Sequence, residues 1–240
     1  MTDSVRLQKY LADRGVASRR AAADIVRAGR VKINDKTVTE PGSRVIPGSD
    51  TVSIDGVAVN SAKERVRTII LNKPRGYVCS TAGQSSPTVY SLIVGIKERL
   101  VPVGRLDKDS EGLLLMSNDG DLVNRLTHPR FGHEKVYEAT VSGAVSANVL
   151  KTLRSRMVID GYRIQPVQVR ILRESSKKGQ TILEFLLKEG RNRQIREMCR
   201  RTHLKVLRLV RTRIGKLTLS DLPTGKWREI DPCEAGQLSL

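Results

Sequence analysis

Aromatic residues are scarce in this chain. Phenylalanine, tyrosine and tryptophan together make up 3% of its 240 residues. Proteins that bind single-stranded nucleic acid without regard to sequence stack successive bases on several aromatic rings. The composition therefore argues against a broad stacking surface, and any base stacking must rest on one or two individual rings.

Cysteine, histidine and long apolar runs are also scarce. The three cysteines are odd in number, widely spaced and form no CxxC pair, which argues against a disulfide framework and against structural zinc. The three histidines show no metal-ligand spacing. No apolar stretch approaches the ~20 residues of a membrane-spanning helix, and residues 1–4 lead into no apolar signal segment. We therefore expect a cytoplasmic protein with no metal site and no membrane association.

Positive charge, by contrast, is abundant. Lysine and arginine number 43 against 25 acidic residues, which gives a formal net charge of +18. Such an excess predicts a polyanionic partner. Only the class of partner follows from the charge, since ribosomal proteins, DNA-packaging proteins and RNA enzymes share this balance.

Acidic residues gather around one short apolar run, in the stretch 104–122. The run itself, Leu113–Met116, has the length of a buried strand and is too short for a helix. A calcium loop is one interpretation of the acids beside it, but Asn118 stands where an EF-hand has its bidentate glutamate. Asp107, two positions after Arg105, offers another interpretation. A carboxylate that a guanidinium keeps ionised can act as a nucleophile or a base without a metal.

The acidic stretch belongs to a longer pattern. Its residues are Gly104-Arg105-Leu106-Asp107, Asp109, Glu111-Gly112-Leu113-Leu114-Leu115 and Asn118-Asp119-Gly120. This pattern resembles the active-site signature of the RsuA-type ribosomal RNA pseudouridine synthases. The resemblance implies that Asp107 is the catalytic aspartate, and that Arg105 helps to extrude the target nucleotide or binds its phosphate.

Three further segments match the same family. Residues 73–77 (Lys-Pro-Arg-Gly-Tyr) match its opening motif, Lys135-x-Tyr137 its second motif and residues 188–200 its third. From periodicity alone Tyr137 is a core aromatic of a half-buried strand. The resemblance implies that it stacks on the extruded base, which needs an apolar plane in place of its lost neighbours. The resemblance also implies that Arg196 pairs with the catalytic aspartate. The other residues that it places in substrate binding are Lys73, Lys135, Arg193, Ile195, Leu207 and Arg208.

The third motif also has a feature that needs no resemblance. Arg191 and Arg193 lie at the start of a predicted helix that continues to Arg200, and arginines there oppose the helix dipole. A carboxylate or a phosphate nearby would resolve this conflict. The motif departs from the family at Glu197, where a second basic residue is commoner.

Residues 1–60 predict a compact module of two short helices and a few strands. A helix with apolar spacing begins at Leu7, and Ser18 caps a second helix. Short alternating strands follow, with a hairpin turn at Asp55-Gly56. Basic residues gather on and just after the second helix, namely Arg19, Arg20, Arg27, Arg30 and Lys32.

A charge run of this kind is most often a solvated helix face. The order of residues in segments 7–12, 17–21 and 29–34, however, resembles the RNA-binding domain first described in small-subunit ribosomal protein four. The resemblance implies that the basic helix docks structured RNA, and we expect contacts to backbone and shape without base reading.

The rest of the chain predicts an α+β domain over residues 67–233. A polar linker at residues 61–66 precedes it, and a frayed tail at residues 234–240 follows it. The predicted strands are 66–71, 100–103, 113–116, 134–141, 165–171, 181–187 and 204–215, and the predicted helices are 87–94, 121–126, 146–154 and 188–200. The resemblance implies a small N-terminal α/β RNA-binding module followed by a larger mixed, mostly antiparallel sheet with flanking helices, the pseudouridine synthase fold.

The resemblance thus implies site-specific isomerisation of a uridine in ribosomal RNA to pseudouridine. No group is gained or lost in this reaction, so we expect no cofactor. We expect ribosomal RNA as the partner, no DNA, and a monomer. Asp107 would act either as a nucleophile on C1′ or as the base that takes the 2′ hydrogen. Two other functions stay open, a non-catalytic ribosome assembly factor that binds ribosomal RNA, and a nuclease or phosphatase that would need magnesium.

Overall fold

The computed structural model of the chain describes residues 4–59, 65–81, 85–175 and 179–238. The chain divides into two compact units. The first comprises Met1–Arg67 with the segments Lys97–Arg99 and Asn118–Gly120, and the second comprises Thr68–Ile96, Leu100–Ser117 and Asp121–Leu240. The predicted linker, residues 61–66, lies mostly outside the described residues.

The first unit packs two short helices on small antiparallel sheets. Its helices are α1 (Leu7–Ala12) and α2 (Arg19–Arg27), and its strands are β1 (Val5–Arg6), β2 (Val31–Ile33), β3 (Lys36–Val38), β4 (Arg44–Val45), β5 (Val52–Ile54) and β6 (Val57–Ala58). Strands β3, β2, β5 and β6 pair in that order, and β1 pairs with β4. Its core joins the apolar faces of both helices to β2, β4 and β5.

Local sequence explains these elements. The Ser18 side chain accepts a hydrogen bond from the Ala21 amide (3.1 Å) and so satisfies one of the first free amides of α2. Asp55 and Gly56 both have positive φ, as the tight turn between β5 and β6 requires. The two helices and the hairpin predicted from the sequence are therefore confirmed.

The second unit is built on one nine-stranded sheet. Its strands are β7 (Thr68–Lys73), β8 (Val101–Pro102), β9 (Glu111–Ser117), β10 (Lys135–Ser142), β13 (Gln168–Ser175), β14 (Gln180–Leu187), β15 (Lys205–Ile214), β16 (Leu217–Thr218) and β17 (Trp227–Glu229), and the ribbon of β11 (Val158–Ile159) and β12 (Tyr162–Arg163) stands apart. The order is β13-β14-β10-β15-β9-β7-β17, with β16 on β15 and β8 on β9. Strands β15 and β9 pair in parallel, whereas the other strand pairs described in this sheet are antiparallel. The predicted mixed, mostly antiparallel sheet is confirmed.

Helices cover both faces of this sheet. They are α3 (Gly120–Thr127), α4 (Ala147–Arg154), α5 (Gln194–Arg201) and α6 (Pro232–Leu238), with short 3₁₀ helices at Val89–Leu92 and Pro129–Phe131. Strand β9 is buried on both sides, since Leu113 and Leu115 face one core cluster while Leu114 and Met116 face another. Burial on both faces explains why this strand reads as an unbroken apolar run.

Three predicted elements differ in extent. Residues 87–94 form only the 3₁₀ helix Val89–Leu92, because Thr88 is extended and Ile93 (φ −102°, ψ 50°) has already left the helical region. The strand predicted over 165–171 begins at Gln168, since the Gln165 amide donates to the Glu189 carboxylate (2.9 Å). The helix predicted from residue 188 begins at Gln194, because Arg193 is left-handed (φ 49°).

The C-terminal tail prediction is wrong for the residues described. Helix α6 occupies Pro232–Leu238, and Leu238 is buried against a core cluster of the sheet. The Glu234 amide donates to the Asp231 carboxylate (2.7 Å), and the Asp231 amide donates back to the Glu234 carboxylate (3.0 Å). This reciprocal pair is a capping box, with proline at the first helical position. The local cap and the buried leucine together hold the helix.

Candidate active site

A buried lysine fixes the loop that carries Asp107. Lys73, at the end of β7, is 0% exposed, and its ammonium donates to the carbonyls of Asp107 (3.1 Å), Ser110 (2.7 Å) and Pro74 (3.1 Å). Burial lowers the pKa of Lys73, against the opposing charges of nearby acidic groups. A charged group out of water requires such acceptors. The loop backbone is thus held by a cation beneath it.

Further backbone contacts tighten the same loop. The Ser110 amide donates to the Asp107 carbonyl (3.0 Å), and the Gly76 amide donates to the Lys108 carbonyl (2.8 Å). The Leu106 side chain is buried in the core cluster that contains Ile69 and Leu114. The Asp107 side chain, in contrast, stays partly exposed. The backbone is therefore fixed while the carboxylate remains accessible.

Asp107 lines a small cavity of about 90 Å³. Tyr137 and Arg105 line it as well, together with apolar side chains that include Ile195 and Leu209. Tyr137 lies on β10, opposite Arg211 on β15, and packs against core clusters on its flanks. The structure thus brings a tyrosine ring to the carboxylate of Asp107 and to Arg105, although that tyrosine lies far from both in the sequence.

The segment before α5 forms the wall of this cavity. The buried Gln194 side chain accepts from the Arg191 amide (3.0 Å) and donates to the Glu189 carboxylate (3.2 Å). This bridging holds the turn that leads into α5. Ile195 is buried (4% exposed), packs into the core below and lines the cavity.

The Arg196 side chain contacts the backbone of the Asp107 loop. Its Nη2 donates to the Asp109 carbonyl (2.8 Å), and its buried Nε has no hydrogen-bond partner among the described residues. Burial, and then the charge of Arg193, lower the pKa of Arg196, whereas Asp109 and Asp107 act in the opposite direction. The direct ion pair expected between Arg196 and Asp107 is not formed in the described part of the chain. The Asp109 carbonyl holds the Arg196 guanidinium, so the charges of Arg196 and Asp107 interact over a distance and without a hydrogen bond.

Two arginines lie near the Asp109 carboxylate at the rim of the site. Its carboxylate lies 3.9 Å from Arg75 Nε and 3.9 Å from Arg193 Nη1. Both guanidinium groups are exposed, so these pairs contribute little to stability. Arg193, which the sequence places in substrate binding, therefore lies beside the Asp107 loop with its charge available at the surface.

Two residues that were expected to contact the substrate, Lys73 and Arg208, bind other groups of the protein in the structure. Lys73 is completely buried beneath the loop and therefore positions Asp107 instead of facing a substrate. Arg208 is locked to the Glu111 carboxylate (2.8 Å), and this hydrogen bond raises its pKa.

Strand β15 is irregular at Leu207 and Arg208, two of the residues that the resemblance places in substrate binding. Val141 pairs with Val206 and Thr140 with Arg208, so Leu207 is an extra residue in a β-bulge. Leu209 and Arg211, which the sequence analysis did not select, line the cavities instead. The sequence did contain one signal for Arg211. It lies two positions after Leu209, so it places a charge on the same face of the strand as that leucine.

A second cavity adjoins the first. Its volume is about 350 Å³, and it shares Arg105, Tyr137, Gly190 and Arg191 with the small cavity. Lys135 lines it, as a predicted substrate-binding residue, and donates to the His133 carbonyl (3.0 Å). Burial, and then the charge of Arg211, lower the pKa of Lys135.

The five predicted RNA-binding residues of the first unit are all exposed. They are Arg19, Arg20, Arg27, Arg30 and Lys32. Arg27 pairs with Asp24 (2.6 Å), and Arg30 Nε donates to the Asp55 carboxylate (3.1 Å), so these two charges are partly neutralised within the chain. The basic surface therefore exists, with part of its charge already balanced.

Among the described residues, no group of three or more histidine, cysteine, aspartate or glutamate side chains is arranged to hold a metal ion. No helix in the part of the chain that the structure describes is long and apolar enough to cross a membrane.

Known proteins resemble this chain over nearly its whole length. It is 41% identical over 237 residues to an RNA pseudouridine synthase of Aquifex aeolicus, with 98% of this chain and 93% of that protein covered. It is 37% identical to the ribosomal large subunit pseudouridine synthase B of Bacillus subtilis, with 97% and 95% covered. A crystal structure of a pseudouridylate synthase superposes with a TM-score of 0.69 at 28% identity, with 98% of this chain and all of that chain (100%) covered.

Family models locate the two parts of this likeness. The S4 domain matches residues 5–50, and the RNA pseudouridylate synthase model matches residues 67–201, which include the Asp107 loop, Tyr137 and Arg196. The cavities described above therefore lie in the matched segment or border it. With the relatives at 37–41% identity over almost the full chain, these matches establish that the chain belongs to the RNA pseudouridylate synthase family.

Proposed function

We propose that this enzyme isomerises a specific uridine of ribosomal RNA to pseudouridine, with Asp107 as the catalytic carboxylate and without a cofactor. The observation that carries the proposal is the small cavity, where an accessible Asp107 on a fixed backbone meets Tyr137 and Arg105. Ribosomal RNA is the proposed substrate because the first unit carries an S4 domain match and a relative is named for the ribosomal large subunit.

The reaction itself explains the need for so few groups. The bond from N1 to C1′ breaks, the uracil turns while it stays bound, and C5 joins C1′ as the proton on C5 is lost and N1 gains one. Atoms and electrons balance within the nucleotide, so no co-reactant is required. Asp107 acts either as a nucleophile on C1′ or as the base that takes the 2′ hydrogen, and both routes need an ionised carboxylate at the sugar.

The neighbouring residues take supporting roles in this proposal. Arg196 holds a positive charge beneath the loop, where its Nη2 donates to the Asp109 carbonyl. Tyr137 offers a ring on which the extruded uracil stacks, and Arg105 contacts the nucleotide or its phosphate at the cavity mouth. Lys73 acts indirectly, by fixing the backbone that carries Asp107.

The two parts of the chain divide the work. We propose that residues 1–60 form the RNA-binding domain and residues 67–233 the catalytic domain. The exposed cations of α2 and its following strand then contact the phosphate backbone of structured RNA. Action as a monomer in the cytoplasm stays a prediction.

Pseudouridine mapping of ribosomal RNA tests the proposal. Cells carry the wild-type gene, a deletion, or Asp107→Asn, which keeps the shape of the side chain and removes its charge. Loss of the same pseudouridine in the deletion and in the variant supports both the activity and the role of Asp107. Unchanged modification in both strains would refute the catalytic proposal and favour the assembly factor that binds ribosomal RNA without chemistry.

A further inference from the structure

The larger cavity has two positive groups at its wall that the fold does not neutralise. Arg211 is 2% exposed, and its Nε donates to the Leu113 carbonyl (2.8 Å). Its Nη2 is buried and has no hydrogen-bond partner among the described residues. Lys135 lines the same cavity, and its pKa is lowered first by burial and then by the charge of Arg211. Two cations therefore repel each other in a partly enclosed space.

The other charged side chains at this cavity reinforce the excess. Arg105, Lys188 and Arg191 line it, and the acidic side chain among its lining residues is Glu189. The Glu189 carboxylate already accepts hydrogen bonds from the Gln165 amide and the Gln194 side chain. It is thus committed to holding the turn before α5. The cavity keeps a strong surplus of positive charge.

A structural role accounts for only one of the hydrogen-bonding nitrogens of Arg211. Strand β15 pairs with β9 in parallel at Arg211 and Gly112, and the bond from Arg211 Nε to Leu113 stabilises this junction. That bond leaves Nη2 unexplained. A buried donor without a partner is unfavourable, and more so when it is charged. Such a cost is typical of a group that meets its acceptor in a ligand.

Position and size indicate what the ligand is. The cavity, at about 350 Å³, has the volume of small-ligand sites and exceeds what a lone phosphate needs. It shares Arg105, Tyr137, Gly190 and Arg191 with the cavity of Asp107. An RNA strand whose target uridine enters the small cavity must place its next nucleotide close by. Phosphate is the anion that every nucleotide supplies.

We propose that the larger cavity binds the phosphodiester group of a nucleotide adjacent to the target uridine, with Lys135 and Arg211 as its contacts. This inference rests on the proposed function, since it places the flanking nucleotide relative to the uridine. The anion neutralises the two cations, and its oxygens accept from Arg211 Nη2 and from the Lys135 ammonium. Charged hydrogen bonds of this kind are the strong ones. The neighbouring Tyr137 then lies between the target and its neighbour.

The test uses RNA with single neutral linkages. The probe is an RNA hairpin that carries the mapped uridine, with one methylphosphonate placed in turn at each of the linkages flanking that uridine, and at one distant linkage as a control. Binding is measured by titration, and turnover by chromatography of the digested nucleosides. We expect one flanking linkage to weaken binding to the wild-type enzyme by about 10-fold or more. The distant linkage has little effect.

A matched pair of variants assigns the effect to the cavity. Lys135→Gln removes a charge from it, and the control Lys151→Gln removes one from an exposed position on α4. The Lys135 variant should show a clearly smaller difference between the neutral and the normal linkage, since only Arg211 then contacts the group, whereas the control should keep the wild-type difference. Arg211→Gln, checked for folding by its unfolding transition, should behave as the Lys135 variant does.

The outcomes separate the two proposals. Pseudouridine formation without any linkage-specific effect overturns the inference and leaves the proposed function intact. A linkage effect that stays at its wild-type size in Lys135→Gln and in Arg211→Gln also overturns the assignment to this cavity. Absence of pseudouridine in the unmodified hairpin counts against the proposed function, and the binding titration then still tests whether a single linkage is held by Lys135.

Discussion

Two buried cations in the second unit, Lys73 and Arg211, lie under neighbouring parts of the site. They differ in whether the described residues satisfy their hydrogen-bond donors. The Lys73 ammonium donates to backbone carbonyls of the Asp107 loop. Arg211 satisfies one carbonyl and keeps a buried nitrogen without a partner among the described residues. Both are almost completely enclosed, at 0% and 2% exposed. The first is a structural cation, whereas the second has capacity left for a ligand.

The comparison teaches how this fold separates structure from chemistry. Beneath Asp107, the Lys73 ammonium and Arg196 Nη2 donate to backbone carbonyls of the loop, and among the described residues the Asp107 carboxylate has no ion pair of its own. Beside it, the larger cavity keeps positive charge that its described lining residues do not balance. A preorganised site needs both conditions, a rigid support and unused binding capacity.

The largest expected effect comes from the carboxylate that the rigid loop presents. Asp107→Asn should lower the rate of pseudouridine formation by about 10⁴-fold, the scale of removing a catalytic group. The unfolding free energy should change by no more than about 0.5 kcal/mol, because the side chain is partly exposed and the loop is held by its carbonyls. Single-turnover assays and urea unfolding measure the two quantities. A variant that loses activity only because it unfolds would contradict the separation of roles.

Lys73→Met should have the next largest effect, and on stability. It removes a buried cation that holds several carbonyls of the loop, among them that of Ser110 (2.7 Å), so we expect a loss of about 3 kcal/mol in unfolding free energy. The matched control is Lys108→Met, an exposed lysine of the same loop. Urea unfolding compares the two variants. A loss below about 1 kcal/mol for Lys73→Met would show that the ammonium does not support the loop.

Lys135→Gln should have the opposite profile. Removing one of two repelling cations should leave the unfolding free energy unchanged within about 0.5 kcal/mol or raise it. Affinity for RNA should nevertheless fall by about 10-fold, since the cavity loses a charged contact. Urea unfolding and a binding titration on the same samples test both. A clear loss of stability would place Lys135 with Lys73, as a structural cation, and would break the comparison.

Local signals in the sequence predicted much of this structure. The cap at Ser18, the turn at Asp55-Gly56 and the buried strand Leu113–Met116 each follow from residues within a few positions. The resemblance likewise identified Asp107 and Tyr137, which line one cavity. The cap, the turn and the strand are predictable because the physical cause of each lies within its own segment.

What the sequence could not supply depends on distant partners. The role of Lys73 depends on carbonyls more than thirty positions away, and that of Arg211 on the parallel pairing of β15 with β9. The bulge at Leu207 shifts the alternation that the strand pattern assumes, which is why Leu209 and Arg211 face the cavities. The capping box at Asp231 and Glu234 was visible locally, and the tail prediction did not use it.

Arg208 provides the smallest and most discriminating test, because it is a third kind of cation, paired and yet exposed. Its guanidinium donates to Glu111 through Nε (3.1 Å) and Nη2 (2.8 Å). An exposed ion pair contributes about 0–1 kcal/mol, so Arg208→Gln should cost no more than that in urea unfolding. Since Glu111 already satisfies the charge and the side chain lines neither described cavity, pseudouridine formation should stay within about twofold of wild type. A large loss of activity at full stability would mean that Arg208 leaves Glu111 when RNA binds. Pairing in the free protein would then be a poor guide to which cations serve the substrate, and the contrast between Lys73 and Arg211 would lose its basis.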